Sequence, residues 1–394
     1  MSLAPITESD VGKICAIQFI NGNQNNSLIV GMIYSNNYLD KLSKQIINNA
    51  KHTVAKATVM IDKAGFEYLV VVIKATYHIP ENNQLPRPII PSQPLVYSDI
   101  YYGEVGKSAP IYDADFVLKK QKCDVIFNAK AFAPHKKPIS QLIISVQVGD
   151  MIKKIAVFGQ RNWCKEGGLY KPGVAEPFTE VPLHYGVAFG GKYYYKDEQI
   201  SHSINPLGIG YFLSRKPNNK EIKMPQLECI DEQINTPESQ INPIALSVLP
   251  RHYGERVKYA GTFDEKWRNE TAPFLPRDFD ERYFQSAPAD QQIDFPIGNE
   301  VIVLNNIHPL RSKINFKLPR LNNIPVRFYQ RQGEVVLFPP SVDTLYFEPE
   351  KDFFSVTWRC QLPIQNILDI EQILIGPRLD SYVSRQTYQS ICKG

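Results

Sequence analysis

Tyr68 to Ala75 reads YLVVVIKA, a nearly continuous apolar run that contains three valines in succession. Its valines and isoleucine are β-branched, which favours an extended backbone. A run of this kind is typical of a strand that is buried on both faces of a sheet. Glu300 to Leu304 reads EVIVL and predicts a second strand of the same type.

Three other stretches alternate between apolar and polar residues, which is the pattern of a strand with one buried face. They are Leu142–Val148, Lys313–Leu318 and Ser355–Leu362. In the last stretch the predicted inward residues are Val356, Trp358, Cys360 and Leu362. The predicted solvent side is formed by Ser355, Thr357, Arg359 and Gln361.

Helical patterns are few. The apolar residues between Tyr38 and Ala50 share one helical face and predict one helix. A second helix is predicted to begin at Thr262, because Thr262 and Glu265 have the spacing of a capping box, and it must end by Pro273. Thirty prolines in 394 residues indicate many turns. The predicted fold class is therefore mainly β (β-rich α+β), with antiparallel sheets, long ordered loops and a few short helices.

Changes in composition and in hydrophobic periodicity divide the chain into three predicted parts. Residues 1–52 form an N-terminal extension that carries the first predicted helix. Residues 53–165 form a β-rich half. Residues 166–394 form a second β-rich half, whose long loops are rich in glycine, proline and tyrosine.

The composition is that of a folded protein, with 43% hydrophobic and 21% charged residues. The formal charge of +4 balances 44 basic against 40 acidic residues, so neither nucleic acid nor a membrane is an expected partner. None of the six cysteines lies within three positions of another, which excludes CxxC metal and redox motifs. No secretory signal and no apolar run of the ~18 residues that span a membrane is visible. We therefore expect a cytoplasmic, soluble protein.

Several blocks of the sequence are informative when they are taken together and in chain order. They are, in chain order, Tyr68–Tyr77, Lys122–Val125, Val157–Trp163, Ala188–Gly191, Asn205–Gly210, Tyr259–Gln292, Asp343–Leu345 and Thr357–Arg359. The longest, Tyr259–Gln292, reads YAGTFDEKWRNETAPFLPRDFDERYFQSAPADQQ. With these blocks the chain resembles, from about Thr53 to Pro363, the bacterial effector-adaptor family of type VI secretion. That family is typically encoded beside the spike protein VgrG, a PAAR-type tip protein and a toxic effector.

The resemblance implies a protein that binds a secreted effector and helps to load it onto the VgrG or PAAR spike. It implies no catalysis and no cofactor. The expected partner surface lies in the irregular middle of the chain, at Tyr193, Tyr194, Tyr195, Tyr211, Phe212 and Arg215. The residues expected to form the scaffold of the family blocks are Gly190, Gly191, Asn205, Gly208, Gly261, Thr262, Asp264, Glu265, Trp267, Pro276, Asp278, Phe279, Pro288 and Gln291.

Two other functions stay open from the residues alone. The first is a carboxylate-dependent hydrolase acting on sugar or peptidoglycan, which needs two facing carboxylates about 5 to 9.5 Å apart. Its candidate carboxylates are Asp264, Glu265, Asp278, Asp280, Glu281 and Asp290. The second is a structural component of the spike, which predicts a stable, stoichiometric trimeric assembly.

Overall fold

The computed structural model describes residues 14–15, 31–32, 45–195, 198–213, 221–321, 324–331, 333, 335–365 and 367–378. The strands of its first part are β1 (Ile14–Cys15), β2 (Gly31–Met32), β3 (Ile46–Asn48), β4 (Thr53–Ile61), β5 (Glu67–His78), β6 (Ile100–Tyr101), β7 (Pro110–Tyr112), β8 (Cys123–Phe127), β9 (Lys130–Phe132), β10 (Gln141–Val148), β11 (Met151–Phe158), β12 (Trp163–Glu166) and β13 (Leu169–Pro172). Those of its second part are β14 (Glu180–Pro182), β15 (Phe189–Gly190), β16 (Lys192–Tyr195), β17 (Glu198–Ser201), β18 (Ile209–Gly210), β19 (Leu227–Cys229), β20 (Gln292–Ile293), β21 (Val301–Asn305), β22 (Lys313–Lys317), β23 (Val326–Gln330), β24 (Val335–Phe338), β25 (Ser341–Glu348), β26 (Phe353–Pro363) and β27 (Ile370–Ile375).

Helices are short in the described part of the chain. The two α-helices are α1 (Gly254–Val257) and α2 (Glu265–Glu270). Single 3-10 turns lie at Pro134–Lys136, Tyr185–Val187, Glu281–Phe284, Ala289–Gln291, Pro349–Lys351 and Ile367–Asp369. The β-rich fold class predicted from the sequence is confirmed. Among the residues that the structure describes, no helix has the length and apolar character to cross a membrane.

The strands form three larger sheets. The six-stranded sheet has the order β20-β8-β25-β26-β5-β4, the five-stranded sheet β19-β11-β10-β21-β22 and the four-stranded sheet β24-β23-β27-β3. Within these three sheets, neighbouring strands are antiparallel except for β8 beside β25 and β27 beside β3, which are parallel. In the six-stranded sheet β26 pairs along its whole length with β5, so the family block around Thr357–Arg359 lies against the block that begins at Tyr68.

One core joins the three sheets. Trp358 is 1% exposed within it, and its indole nitrogen donates to the carbonyl of Leu321 at 2.8 Å. The inward residues predicted for the alternating stretches are buried, apart from Leu142, which is half-buried. Glu300–Leu304 was predicted to be a strand buried on both faces, and the strand is confirmed as β21, but its burial on both faces is wrong. Val301 is 36% exposed there because the outer face of the five-stranded sheet is open to solvent.

The outer face of β26 differs from its prediction. Ser355, Thr357 and Arg359 are buried rather than solvated, because the segments that carry Leu95, Leu118, Val248 and Ala287 cover this face of the six-stranded sheet. Polar residues therefore form a second buried layer beside the apolar core. Its ion pairs are Lys74–Asp115, Lys120–Asp124, Arg256–Asp113 and Arg359–Asp343.

The N-terminal helix prediction also needs correction at its end. Most of Tyr38–Ala50 lies outside the described residues. Ile46 to Asn48, however, form strand β3, which pairs in parallel with β27. The β-branched Ile46 and Ile47 fit this sheet edge better than a helix because their side chains pack against the neighbouring strand.

Candidate protein-binding groove

The segment Tyr259–Gln292, called the family segment below, is a chain of caps and turns. Asp278 accepts two hydrogen bonds from Thr262, from its amide at 3.0 Å and from its hydroxyl at 2.8 Å. Asp264 caps α2 by accepting from the amide of Trp267 at 2.8 Å. The predicted capping box at Thr262 is therefore wrong. Thr262 is held by Asp278 across the loop, and Glu265 is the first residue of the helix.

The same segment is tied at several further points. The Trp267 indole donates to the carbonyl of Phe274 at 3.0 Å, which closes the loop around α2 on itself. Phe279 is 2% exposed and packs with Leu275 and Tyr283. Gly261 has a positive φ, and the remaining turns include Pro276, whose carbonyl accepts from Phe279, and Pro288, whose carbonyl accepts from Gln291.

Gln291 joins the end of the family segment to the six-stranded and the five-stranded sheets. Its side chain is fully buried, and its amide nitrogen donates to the carbonyls of Val125 and Leu246 at 2.7 and 3.0 Å. Its amide oxygen accepts from the ammonium of Lys153 on β11 at 2.8 Å. This glutamine therefore holds the segment in one position against the body.

The carboxylates proposed for a hydrolase have local partners. Asp280 caps the turn at Glu281 and pairs with Arg282 at 2.6 Å, and Asp290 pairs with Lys153 at 2.9 Å. Hydrogen bonds from Thr262 lower the pKa of Asp278, and those from Arg282 lower the pKa of Asp280. A general acid in a glycosidase needs the opposite shift. Asp264, Asp278, Asp280 and Asp290 are thus engaged as caps and pairs.

Asn205 organises the glycine blocks in the middle of the chain. Its buried amide nitrogen donates to the carbonyls of Tyr185 and Phe189 at 2.9 and 3.0 Å. Gly190, Gly191 and Gly208 lie so close to neighbouring backbone that an added Cβ would come within 2.2 to 2.5 Å of a carbonyl oxygen. The glycines are therefore required by close backbone approach, as expected for tight turns rather than for phosphate loops.

The expected partner surface in the middle of the chain is only partly exposed. Tyr193 and Phe212 are 8% and 1% exposed, because they pack with Trp163 and Phe189 in a separate small core. These two side chains are therefore not part of an open surface, contrary to expectation. Tyr194 is exposed, Tyr195 and Tyr211 are half-buried, and Arg215 lies outside the described residues.

A groove of about 480 Å³ lies beside the family segment. It runs between the end of β4, the segment 97–118 and the family segment. Its aromatic lining is formed by Tyr97, Tyr101, Phe116, Phe279, Tyr283 and Phe284. We call it the aromatic groove. Tyrosine and arginine are enriched among residues that dominate binding energies at protein interfaces, and Arg251 adds the arginine here.

The polar floor of the aromatic groove is fixed. Arg251 pairs with Asp99 through two hydrogen bonds, of 2.5 and 2.8 Å, and also lies 3.2 Å from Asp113. At the rim, Tyr97 is 66% exposed and stacks on Phe116 with ring centroids 5.0 Å apart. The groove is thus an open apolar surface on a rigid base. No local pattern in the sequence predicts the groove, because its lining comes from segments that are far apart in the chain.

Two half-buried histidines near these sites, His184 and His252, predict a pH effect on stability. Burial lowers the pKa of His184 and of His252 to about 4, below the ~6.5 of an unfolded chain. The Nδ1 atom of His184 accepts from the amide of Gly186, and Nε2 of His252 has no hydrogen-bond partner among the described residues. The unfolded chain therefore binds more protons between pH 6.5 and 4, so the free energy of unfolding falls as the pH falls through this range.

We expect His252→Gln to flatten that dependence. Each histidine contributes a slope of up to about 1.4 kcal/mol per pH unit. Urea unfolding of the variant and of the wild type between pH 6.5 and 5 measures this slope. Most carboxylates titrate below that pH range. Parallel curves of unfolding free energy against pH for the variant and the wild type would contradict a His252 that stays neutral in the folded protein.

The comparisons with known proteins identify a family. The model of a family described as "Uncharacterized protein conserved in bacteria (DUF2169)" matches residues 64–359, which is well over half of the 394 residues. No curated protein and no solved structure matches the chain. The match includes both the family segment and the strands that form the centre of the six-stranded sheet. The chain therefore belongs to the DUF2169 family of bacterial proteins.

Proposed function

We propose that this protein is a type VI secretion effector adaptor, which binds a toxic effector and helps to load it onto the VgrG or PAAR spike. The blocks quoted above support this proposal, because they follow the order of that adaptor family from about Thr53 to Pro363. In this proposal the protein acts in the cytoplasm by binding and not by catalysis.

The aromatic groove is the observation that carries the proposal. Its volume of about 480 Å³ accommodates a small number of apolar side chains from another protein. Burying one large apolar side chain contributes about 1.5 to 3 kcal/mol. Aromatic walls add further stabilisation of about 0.5 to 1.5 kcal/mol for a well-placed ring pair. The proposed occupant is therefore an apolar or aromatic segment of the effector.

The rigid base of the groove supports tight binding. Arg251 and Asp99 are already paired in the free protein, and Phe279 and Tyr283 are packed in their own small core. A partner then loses little free energy in ordering these side chains, which is the main benefit of a preorganised surface. The segment that carries Tyr97, which is 66% exposed, is the more accessible wall of the groove.

Co-purification with the proteins encoded on either side of its gene tests the proposal. A tagged chain is expected to retain a neighbouring effector, VgrG or PAAR-type protein. Failure to retain any of them, or a gene neighbourhood without secretion genes, would contradict the proposal. The mass of the assembled spike separates the adaptor from a structural component, because only the latter stays in a stoichiometric trimeric complex.

Tyr97→Ala is expected to weaken binding of the retained partner by about tenfold or more, because removing the side chain of an interface hot spot has an effect of this size. The matched control is Tyr194→Ala, since Tyr194 is 58% exposed, close to the 66% of Tyr97, but belongs to the hairpin of β16 and β17. Titration of purified partner onto each immobilised variant measures the difference. A loss with Tyr194→Ala alone would move the binding surface to the middle of the chain.

A further inference from the structure

A cavity of about 190 Å³ lies beside β26, at the end of that strand where β25 is missing. β26 pairs with β5 along its whole length, but with β25 only as far as Arg359. Two prolines, Pro339 and Pro340, come directly before β25, and proline has no amide hydrogen for a strand ladder. The sheet therefore has a gap next to Gln361. We call the cavity at this gap the Gln361 cavity, since Gln361 is part of its lining.

Gln361 carries an acceptor without a donor. The residue is half-buried, and its Oε1 atom is buried with no hydrogen-bond partner among the residues that the structure describes. Gln285 and Gln291 differ in this respect, because both amide atoms of each have partners. Buried polar atoms nearly always have a partner, so an unpaired acceptor beside a cavity points to a ligand that donates. The terminal torsion of a glutamine is soft, so a small rotation of the amide turns this oxygen toward the donor.

The charged groups of the lining already have partners within the protein. The Arg359 guanidinium donates to both carboxylate oxygens of Asp343. The Lys120 ammonium donates to Asp124 at 2.7 Å. Lys119 has a side chain that is 51% exposed, so solvent and salt screen its charge. We therefore expect an uncharged ligand.

The rest of the lining is mostly apolar. Leu118 is buried, Phe295 is 39% exposed and Phe338 is half-buried. Aromatic side chains favour contact with another ring, through offset stacking or edge-to-face packing. A cavity of roughly 150 Å³ in another protein admits benzene. The larger volume of about 190 Å³ therefore favours a ring system bigger than a single six-membered ring.

We propose that the Gln361 cavity binds an uncharged aromatic ring system with an N–H donor, of which indole is the simplest example. The N–H group donates to Oε1 of Gln361, and the ring lies against Leu118, Phe295 and Phe338. Such a ring comes either from a tryptophan side chain of another protein or from a small free heterocycle. This site goes beyond the proposed adaptor function and does not depend on it.

Two methylindoles of equal size test the hydrogen bond. 3-Methylindole keeps the N–H group, whereas 1-methylindole carries its methyl group in place of that hydrogen. Calorimetric titration of the full chain is expected to show that 3-methylindole binds about fivefold more tightly or better, because only this isomer supplies the missing donor. Equal affinities, or no binding of 3-methylindole at millimolar concentration, would overturn the proposal.

Two variants assign the binding to these residues. Gln361→Met has a side chain of similar size without the acceptor, so we expect the preference for 3-methylindole to disappear. Its melting temperature is not expected to fall, because Oε1 has no donor to lose. Phe295→Ala is the matched control, since it removes an apolar wall and should weaken both methylindoles while the preference stays. A preference that survives in Gln361→Met would show that Gln361 is not the acceptor.

N-acetyltryptophanamide separates the two sources of the ring. It carries the indole on a peptide-like unit, so an affinity close to that of 3-methylindole supports a tryptophan side chain of a partner protein. Binding of 3-methylindole alone supports a free heterocycle. None of these probes involves a secretion partner, so a failed test of the adaptor function leaves the result for this cavity intact.

Discussion

Arg359→Met is expected to lower the free energy of unfolding by about 3 to 5 kcal/mol, the usual cost of removing one partner of a buried ion pair. Arg359 is 6% exposed, and its guanidinium lies 2.5 Å from Asp343, which is 2% exposed. The variant leaves that carboxylate buried without its counterion. It also removes the donors to the carbonyls of Asp115 and Val117, which hold one wall of the aromatic groove.

The control for this prediction is an exposed ion pair. Lys107 is 58% exposed and lies 2.8 Å from Glu104, so Lys107→Ala is expected to cost no more than about 1 kcal/mol. Chemical unfolding at pH 7 measures both variants. Adding Asp343→Asn to Arg359→Met should restore part of the lost stability, because the buried charge is then gone. If the double variant is clearly less stable than Arg359→Met alone, the unpaired charge of Asp343 is not the cause of the loss.

Gly190→Ala is the second change with a large expected effect. Gly190 has a φ of 138°, and an added Cβ would lie 2.2 Å from the carbonyl oxygen of Asn205. Real Cβ atoms do not approach a backbone oxygen so closely, so the turn at Asn205 must move and its hydrogen bonds to Tyr185 and Phe189 must weaken. We expect a loss of about 3 kcal/mol or more, as for other substitutions that combine backbone strain with a broken buried network.

Gly168→Ala separates the two causes. Gly168 also has a positive φ, of 89°, but an added Cβ would meet nothing within 4 Å. Gly168→Ala is therefore expected to lower the free energy of unfolding only by the cost of holding an alanine at a positive φ, about 1 to 2 kcal/mol. Thermal and chemical unfolding of the two variants measure the difference. Equal losses would show that the close approach to Asn205 contributes nothing.

The sequence predicted the inward faces of the strands well. The residues of β26 from Val356 to Leu362 alternate, and their apolar side lies in the core as expected. The prediction failed for the other side, at Thr357 and Arg359, because alternation reports the polarity of a face and not its exposure. Other segments of the chain cover that face, and no pattern within β26 itself predicts that they do. A local pattern is also insufficient at Ile46 and Ile47. Their spacing predicts a helix, but in the fold they form a strand that pairs with β27.

The candidate sites were harder to predict than the strands. Tyr193 and Phe212 look like loop aromatics in the sequence but pack into a small core of their own. The aromatic groove, in contrast, collects Tyr97, Phe116 and Phe284 from distant parts of the chain. Only the tertiary fold brings those residues together, so a pattern of local spacing cannot reveal the groove.

The order of strands in the six-stranded sheet has a consequence for folding during synthesis. β5 and β8 are made early, but they are joined through β25 and β26, which begin at Ser341 and Phe353. The ribosome must therefore deliver most of the chain before the sheet can close, and the apolar faces of β5 and β8 stay without their central partners until then. Chains with such distant pairings fold slowly and expose aggregation-prone strands while they wait. Shortening the chain before Ser341 would make that exposure permanent, so we expect truncated products to be insoluble or bound by general chaperones.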